Sequence, residues 1–136
     1  MDGSPALLLL LALALCCPGI HGQQHKIKVK FSDSITHLQV GQRLELECHT
    51  DSNSGVLWVR LDKSGTHHFI VFISSYSWTF FEGNQRTSTR FEASKDSTFY
   101  RLIVKSFTQH DEGIYFCLVH SYQMLSFSNG QPVYLP

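Results

Sequence analysis

The chain has no excess of either charge: 11 Lys and Arg stand against 11 Asp and Glu in 136 residues. Without concentrated cationic charge, nucleic acid and anionic membranes are disfavoured as partners. Beyond residue 22 there is no apolar run of 18 residues, so no spanning helix is expected here and a membrane anchor is expected only beyond Pro136. Ser, His and Asp are all present, but no G-x-S-x-G elbow, H-E-x-x-H pair or glycine-rich phosphate loop accompanies them. The chain is therefore read as a non-enzyme, and no cofactor is expected. The eight histidines are scattered, and the adjacent pair His67 and His68 points to opposite faces of any strand, which disfavours a metal site.

What is present begins with a secretory signal. Residues 7–15 are wholly apolar, too short to span a bilayer, and are followed by Pro18-Gly19 and small or neutral residues to Gly22. Residues 1–22 are read as the signal peptide, with cleavage after Gly22. The segment carries one charged residue, Asp2, and no Lys or Arg. Its removal takes Cys16 and Cys17 away and leaves Cys48 and Cys117. In an oxidising compartment such a pair is expected to form a disulfide. Zinc is disfavoured, since no C-x-x-C spacing accompanies the pair.

Residues 23–136 show no three- and four-residue apolar spacing. Their period is two, as in residues 26–31, where Ile27, Val29 and Phe31 share one face and three lysines the other. Residues 44–48 repeat the pattern with Leu44, Leu46 and Cys48 inward. Further strands are expected at 56–61, 68–73, 87–92, 98–104, 114–120 and 125–135. Turn signals separate them, among them Asn53-Ser54-Gly55, Lys63-Ser64-Gly65, Lys95-Asp96-Ser97 and Asp111-Glu112-Gly113. Eight or nine short strands at this spacing indicate an all-β antiparallel sandwich or barrel.

Trp58 follows Cys48 by ten residues, and Cys117 closes the string Asp111-Glu112-Gly113-Ile114-Tyr115-Phe116-Cys117. This constellation resembles the immunoglobulin fold. The resemblance implies that the cysteines join strands B and F, that Trp58 packs on the bridge, and that Tyr115 makes the corner hydrogen bond. Arg90-Phe91 facing Asp111 resembles the ion pair at the bottom of variable-type domains, and segments 68–73 and 77–81 supply the C′ and C″ strands. The expected fold is thus an immunoglobulin variable-type two-sheet sandwich over residues 23–136.

The closing string Phe127-Ser128-Asn129-Gly130-Gln131-Pro132-Val133-Tyr134-Leu135-Pro136 lacks the first glycine of the Phe-Gly-x-Gly found in antigen-receptor variable domains. Taken with Gly41-x-x-x-Glu45-Leu46-x-Cys48 and Ser54-Gly55-x-x-Trp58, it resembles the alpha chains of the cytotoxic T-cell co-receptor for class I major histocompatibility molecules. That resemblance implies a cell-surface ectodomain, paired with a second copy or a beta chain through its G-F-C-C′ sheet. The paired loops would grip a loop of the membrane-proximal domain of the class I heavy chain. Another paired immunoglobulin-type receptor or an antigen-receptor variable domain is the alternative within the binding class.

The loops fall at 49–55, 74–79 and 120–126. Carried over by alignment, the ligand contacts are Ser52, Asn53, Ser74, Ser75, Tyr76, Ser121, Tyr122, Gln123 and Met124, with Lys30 as a basic contact on the first strand. Val59, Leu61, Phe72, Leu125 and Phe127 are the expected dimer contacts, because they would otherwise leave apolar area exposed. The sequence departs from the family in a shorter first loop, in Glu47 where a basic residue is common, and in Leu61 where a pairing glutamine is usual. Ser, Tyr, Asn and Trp dominate the loops, a composition that suits recognition. Tyr76 and Trp78 as covers for the sheet edge, Met124 as a core residue, and Lys26 and Lys28 as a solvated edge are the competing structural roles.

Overall fold

Alternation sorts the strand residues by face: Leu44, Leu46 and Cys48 are buried while Glu45 and Glu47 face outward, and Tyr115, Cys117 and Val119 repeat the arrangement. The computed structural model describes residues 26–33, 37–121 and 123–136; the expected signal segment lies outside them. The strands are β1 (Ile27–Phe31), β2 (Leu44–Thr50), β3 (Val56–Leu61), β4 (His67–Ile73), β5 (Thr79–Phe81), β6 (Phe91–Lys95), β7 (Phe99–Val104), β8 (Gly113–Ser121), β9 (Met124–Phe127) and β10 (Gln131–Val133). They form a four-stranded sheet in the order β1-β2-β7-β6 and a six-stranded sheet in the order β10-β8-β3-β4-β5, with β9 also on β8. Every pairing is antiparallel. Among the described residues no helix is long and apolar enough to cross a membrane.

The expected sandwich is therefore present, and so is its staple. Cys48 on β2 and Cys117 on β8 form a disulfide that joins the two sheets. Trp58 is the register partner of Cys117 and is fully buried beside Tyr115 and Phe107 in the same core. At the far pole the Tyr115 hydroxyl donates to the Asp111 carbonyl. Burial, reinforced by the Asp111 charge, pushes the Tyr115 phenol well above its ordinary range, so it remains a neutral donor. The buried Asp111 carboxylate accepts from the Arg90 guanidinium, from Thr108 N at 2.9 Å and from Thr108 Oγ1 at 3.1 Å. The pair expected from Arg90 and Asp111 thus closes the bottom of the sandwich.

Several boundaries differ from the sequence reading by a residue or two, and three departures have a visible cause. The strand expected at 87–92 runs instead over Phe91–Lys95, because the Ser88 hydroxyl accepts from Arg90 N and Phe91 N and holds the preceding residues in a turn. The segment expected at 77–81 is strand only from Thr79, since Ser77 adopts a left-handed φ of 70°. The single closing strand expected at 125–135 is two, β9 and β10.

The break between β9 and β10 has a cause in side-chain chemistry. The Ser128 hydroxyl accepts from Cys117 N at 2.9 Å where a backbone carbonyl would, while Ser128 N still donates to Cys117 O at 2.9 Å. Asn129 then reaches the other sheet: its Oδ1 accepts from Val29 N at 2.8 Å and its Nδ2 donates to Val29 O at 3.1 Å, so the amide pairs with the free edge of β1 as a strand would. Gly130 follows because a Cβ there would lie 2.6 Å from Ile114 Cγ2. Asn129→Ala is expected to destabilise the domain by about 1–3 kcal/mol, since it strips both partners from a buried peptide group. Asn129→Asp is expected to cost about as much, because it keeps only the acceptor. Urea unfolding at fixed protein concentration checks both.

Candidate functional site

Three loops gather at one pole because β3 begins, and β4 and β8 end, at matching register: Val56 lies opposite Ile73, and Leu57 opposite Leu118. In the first loop the expected contacts divide. Ser52 is buried and its hydroxyl lies 2.8 Å from Ser54 Oγ while accepting from Ser54 N, so it braces the loop; Asn53 is exposed. Gly55 holds a φ of +93°, and a Cβ there would lie 2.8 Å from Ile73 O, which ties the first loop to the base of the second.

The second loop is a hydrogen-bonded hairpin. Ser74 N donates to Trp78 O at 2.8 Å, and Ser74 Oγ accepts from Tyr76 N and Trp78 N at 3.2 and 3.1 Å. Lys95 Nζ, from the other sheet, donates to Ser75 O at 2.9 Å. Ser74 and Ser75 are consequently half-buried, and Tyr76 stands out at the tip, 85% exposed. In the third loop Ser121 pairs with Met124, and Gln123 takes the left-handed φ of 64° that a tight turn needs. Gln123 is exposed, and Ser121 and Met124 are half-buried; Tyr122 lies outside the described residues.

Lys30 stands apart from these loops. It lies on the outer face of the smaller sheet opposite Glu47, three residues along β1 from the loop end, about 10 Å at strand rise. Burial works to raise the Glu47 carboxyl, but the His49 ring nitrogen at 2.7 Å, with the nearby Ser32 hydroxyl and the Lys30 charge, outweighs it and lowers the net value. The anionic Glu47 offsets the Lys30 charge locally, so any help from Lys30 comes from the side.

Beneath the loops, the outer face of the larger sheet is apolar. The expected residues Val59, Leu61 and Phe72 are half-buried there, and Leu125 and Phe127 are 50% and 61% exposed. The register shows that the patch is broader than the sequence reading: Leu57 and Leu118, Val59 and Phe116, and Leu61 and Ile114 are neighbours across β3 and β8, and Phe72 meets Phe80 with ring centroids 6.4 Å apart. The signal for the missed residues was the absence of polar alternation in Val56-Leu57-Trp58-Val59 and in Phe116-Cys117-Leu118-Val119. A strand apolar on both faces is covered on both faces.

A concavity lies at the opposite pole, an open groove of about 770 Å³ lined by Arg60, Asp62, Lys63, His68, Arg90, His110 and Glu112 among others. Its charges are mostly committed to one another. Lys63 pairs with Glu112, His68 with Asp62 and Arg90 with Asp111, while Arg60 Nη1 donates to Glu112 O. The Leu135 N–H and Lys63 hold the Glu112 carboxyl below its ordinary range, and Ser64, His68 and the Thr66 N–H do so for Asp62. That groove fastens the departing chain, through Leu135 N to Glu112 Oε2 at 2.7 Å.

Among solved structures the chain is similar to a crystal structure of the swine CD8aa homodimer, with 21% sequence identity and a TM-score of 0.66, over 79% of this chain and 97% of that one. At that identity the likeness shows the fold. Matching solved chains number 1987, so the shared fold alone selects no ligand. The Immunoglobulin V-set domain matches residues 30–135. With nearly all described strands inside that span, and with β4 and β5 in place as the additional pair of the variable type, the chain belongs to the immunoglobulin V-set domain family.

Proposed function

We propose that residues 1–22 direct secretion and that residues 23–136 are the ectodomain of a cell-surface T-cell co-receptor that pairs with a second copy and binds class I major histocompatibility molecules. The observation that carries this reading is the continuous apolar outer face of the larger sheet directly below three gathered loops. An apolar face of that breadth calls for a covering partner, and the similar swine structure is itself a homodimer. Pairing through this face sets two sets of loops side by side, a cleft into which a protruding loop of another protein fits. A beta chain with a matching face would serve the same geometry as the second copy.

The ligand-facing residues in this reading are Asn53, Ser74, Ser75, Tyr76, Ser121, Tyr122, Gln123 and Met124, with Ser52 bracing the first loop. No Lys, Arg, Asp or Glu lies between His120 and Pro136. The third loop therefore binds by shape and neutral hydrogen bonds around apolar anchors, and affinity is modest. Alanine at Tyr76, Tyr122 or Met124 is expected to weaken binding by about 1–2 kcal/mol each, without a comparable loss of thermal stability. Lys30→Glu should act on association rate and salt dependence more than on dissociation. Surface plasmon resonance with immobilised class I molecules measures all of these. Wild-type binding by a folded Tyr76/Tyr122/Met124 triple variant would show that the ligand sits on another surface.

A further inference from the structure

Beside the second loop lies a group of side chains that the loop contacts above leave unused. β5 is the outermost strand of its sheet, and the returning chain closes its edge. Phe81 N donates to Gln85 O at 2.7 Å, Thr79 Oγ1 donates to Arg86 O at 2.9 Å, and Arg86 Nε donates to Thr79 O at 3.1 Å. These bonds lay the Arg86 guanidinium over two rings, 4.5 Å from the Trp78 centroid and 5.4 Å from that of Phe80. Trp78 remains 53% exposed. Only Nε of the Arg86 fork has a hydrogen-bond acceptor among the described residues, so its two terminal amino groups are open. Among the described residues no acid forms an ion pair with Arg86, not even Glu82 four residues before it, and no Asp or Glu occurs between Asp62 and Glu82.

A second copy is the wrong occupant for this ledge. Under two-fold pairing with the loops at the same end, the β5 flank of one copy lies toward the β9 and β10 flank of the other. That flank has no acidic residue, because none follows Glu112. Burying Arg86 against it would strip a cation of water without a partner. A carboxylate from a third protein satisfies the fork in the bidentate manner guanidinium favours, while the fixed rings supply contact area at low entropy cost.

We propose that Trp78 and Arg86 form a ledge that receives an acidic segment of the protein ligand, extending the second-loop contact; this rests on the class I reading above. The test uses the natively secreted ectodomain carrying Arg86→Gln, Arg86→Lys or Trp78→Leu. Binding to immobilised class I molecules is measured by surface plasmon resonance at low and physiological salt, with sedimentation in parallel. Arg86→Gln and Trp78→Leu are expected to weaken binding by about tenfold each, the size of an interface anchor. Arg86→Gln should also flatten the salt dependence, Arg86→Lys should recover only part of the loss for want of the fork, and all three variants should stay dimeric. Either Arg86→Gln or Trp78→Leu at wild-type affinity overturns the ledge, and the class I reading then stands on the loop variants. Dissociation into monomers assigns the ledge to the pairing face and overturns it as well. A wild-type ectodomain that does not bind class I molecules overturns both readings together.

Discussion

Trp58→Ala is expected to destabilise the domain by about 3–5 kcal/mol, the largest effect of any single side chain in the core. The indole is fully buried, sits in register with Cys117, and fills the space where β3 passes the disulfide. A bridge fixed at both ends cannot follow the cavity inward, so little of the lost contact is recovered by collapse. The indole Nε1 has no hydrogen-bond partner in the structure, so the loss is of packing and not of polar contacts. Trp58→Phe should accordingly cost much less than Trp58→Ala. The disulfide is a separate contribution: its two cysteines lie 69 residues apart, and releasing that closure frees unfolded-chain entropy worth about 4 kcal/mol. Denaturant unfolding of the three proteins, oxidised and reduced, separates the two terms. A Trp58→Ala variant within 1 kcal/mol of wild type, roughly, would contradict this account of the core.

The sandwich was legible because its information is local. Period-two alternation, turn residues, the ten-residue step from Cys48 to Trp58 and the Tyr115-Phe116-Cys117 string each act over a short stretch, and each survived into strands, corner and bridge. The boundaries that moved did so where a side chain substitutes for backbone: Ser88 turns the chain before β6, and Ser128 with Asn129 splits the closing strand. Nothing in the string Ser-Asn-Gly announces that the amide of Asn129 will pair with Val29, 100 residues away. The candidate site divides in the same way. The three loops and five of the apolar face residues were readable from strand order, whereas Ser52 turned inward through a bond to a near neighbour that hydroxyl composition does not reveal. Leu57, Ile114, Phe116 and Leu118 needed the pairing register before they could be placed beside Val59, Leu61 and Phe127. Arg86 needed the fold itself, since its stacking on Trp78 depends on how the chain returns past β5.

Leu61→Asp is expected to convert the ectodomain from a dimer to a monomer with its fold intact, and Phe72→Asp to do the same. Both side chains are half-buried on the outer face, outside the core cluster, so a carboxylate there remains hydrated in the monomer. In the proposed pair each substitution occurs twice and lies against apolar neighbours of the other copy, where burying an unpaired carboxylate costs several kcal/mol. Stable interfaces of ordinary size bury about 1,200–2,000 Å² in total and depend on a dry centre. Leu61 ends the central strand, β3, beside Ile114, and Phe72 lies across from Leu57, so both belong to that apolar face. Two-fold symmetry with all loops at one end sets the β9 flank of one copy against the β4 flank of its partner. Paired Leu125→Cys and Phe72→Cys substitutions should therefore cross-link between copies, whereas pairing with the loops at opposite ends would bring like strands together and favour cross-linking of Leu125→Cys to itself. Sedimentation of the unmutated ectodomain at about tens of micromolar is the primary measurement, because association is concentration-linked. A monomer under those conditions would refute pairing through this face by the domain alone. Monomeric Leu61→Asp protein with no titratable thiol would show that dimerisation was lost while the Cys48–Cys117 bridge was kept.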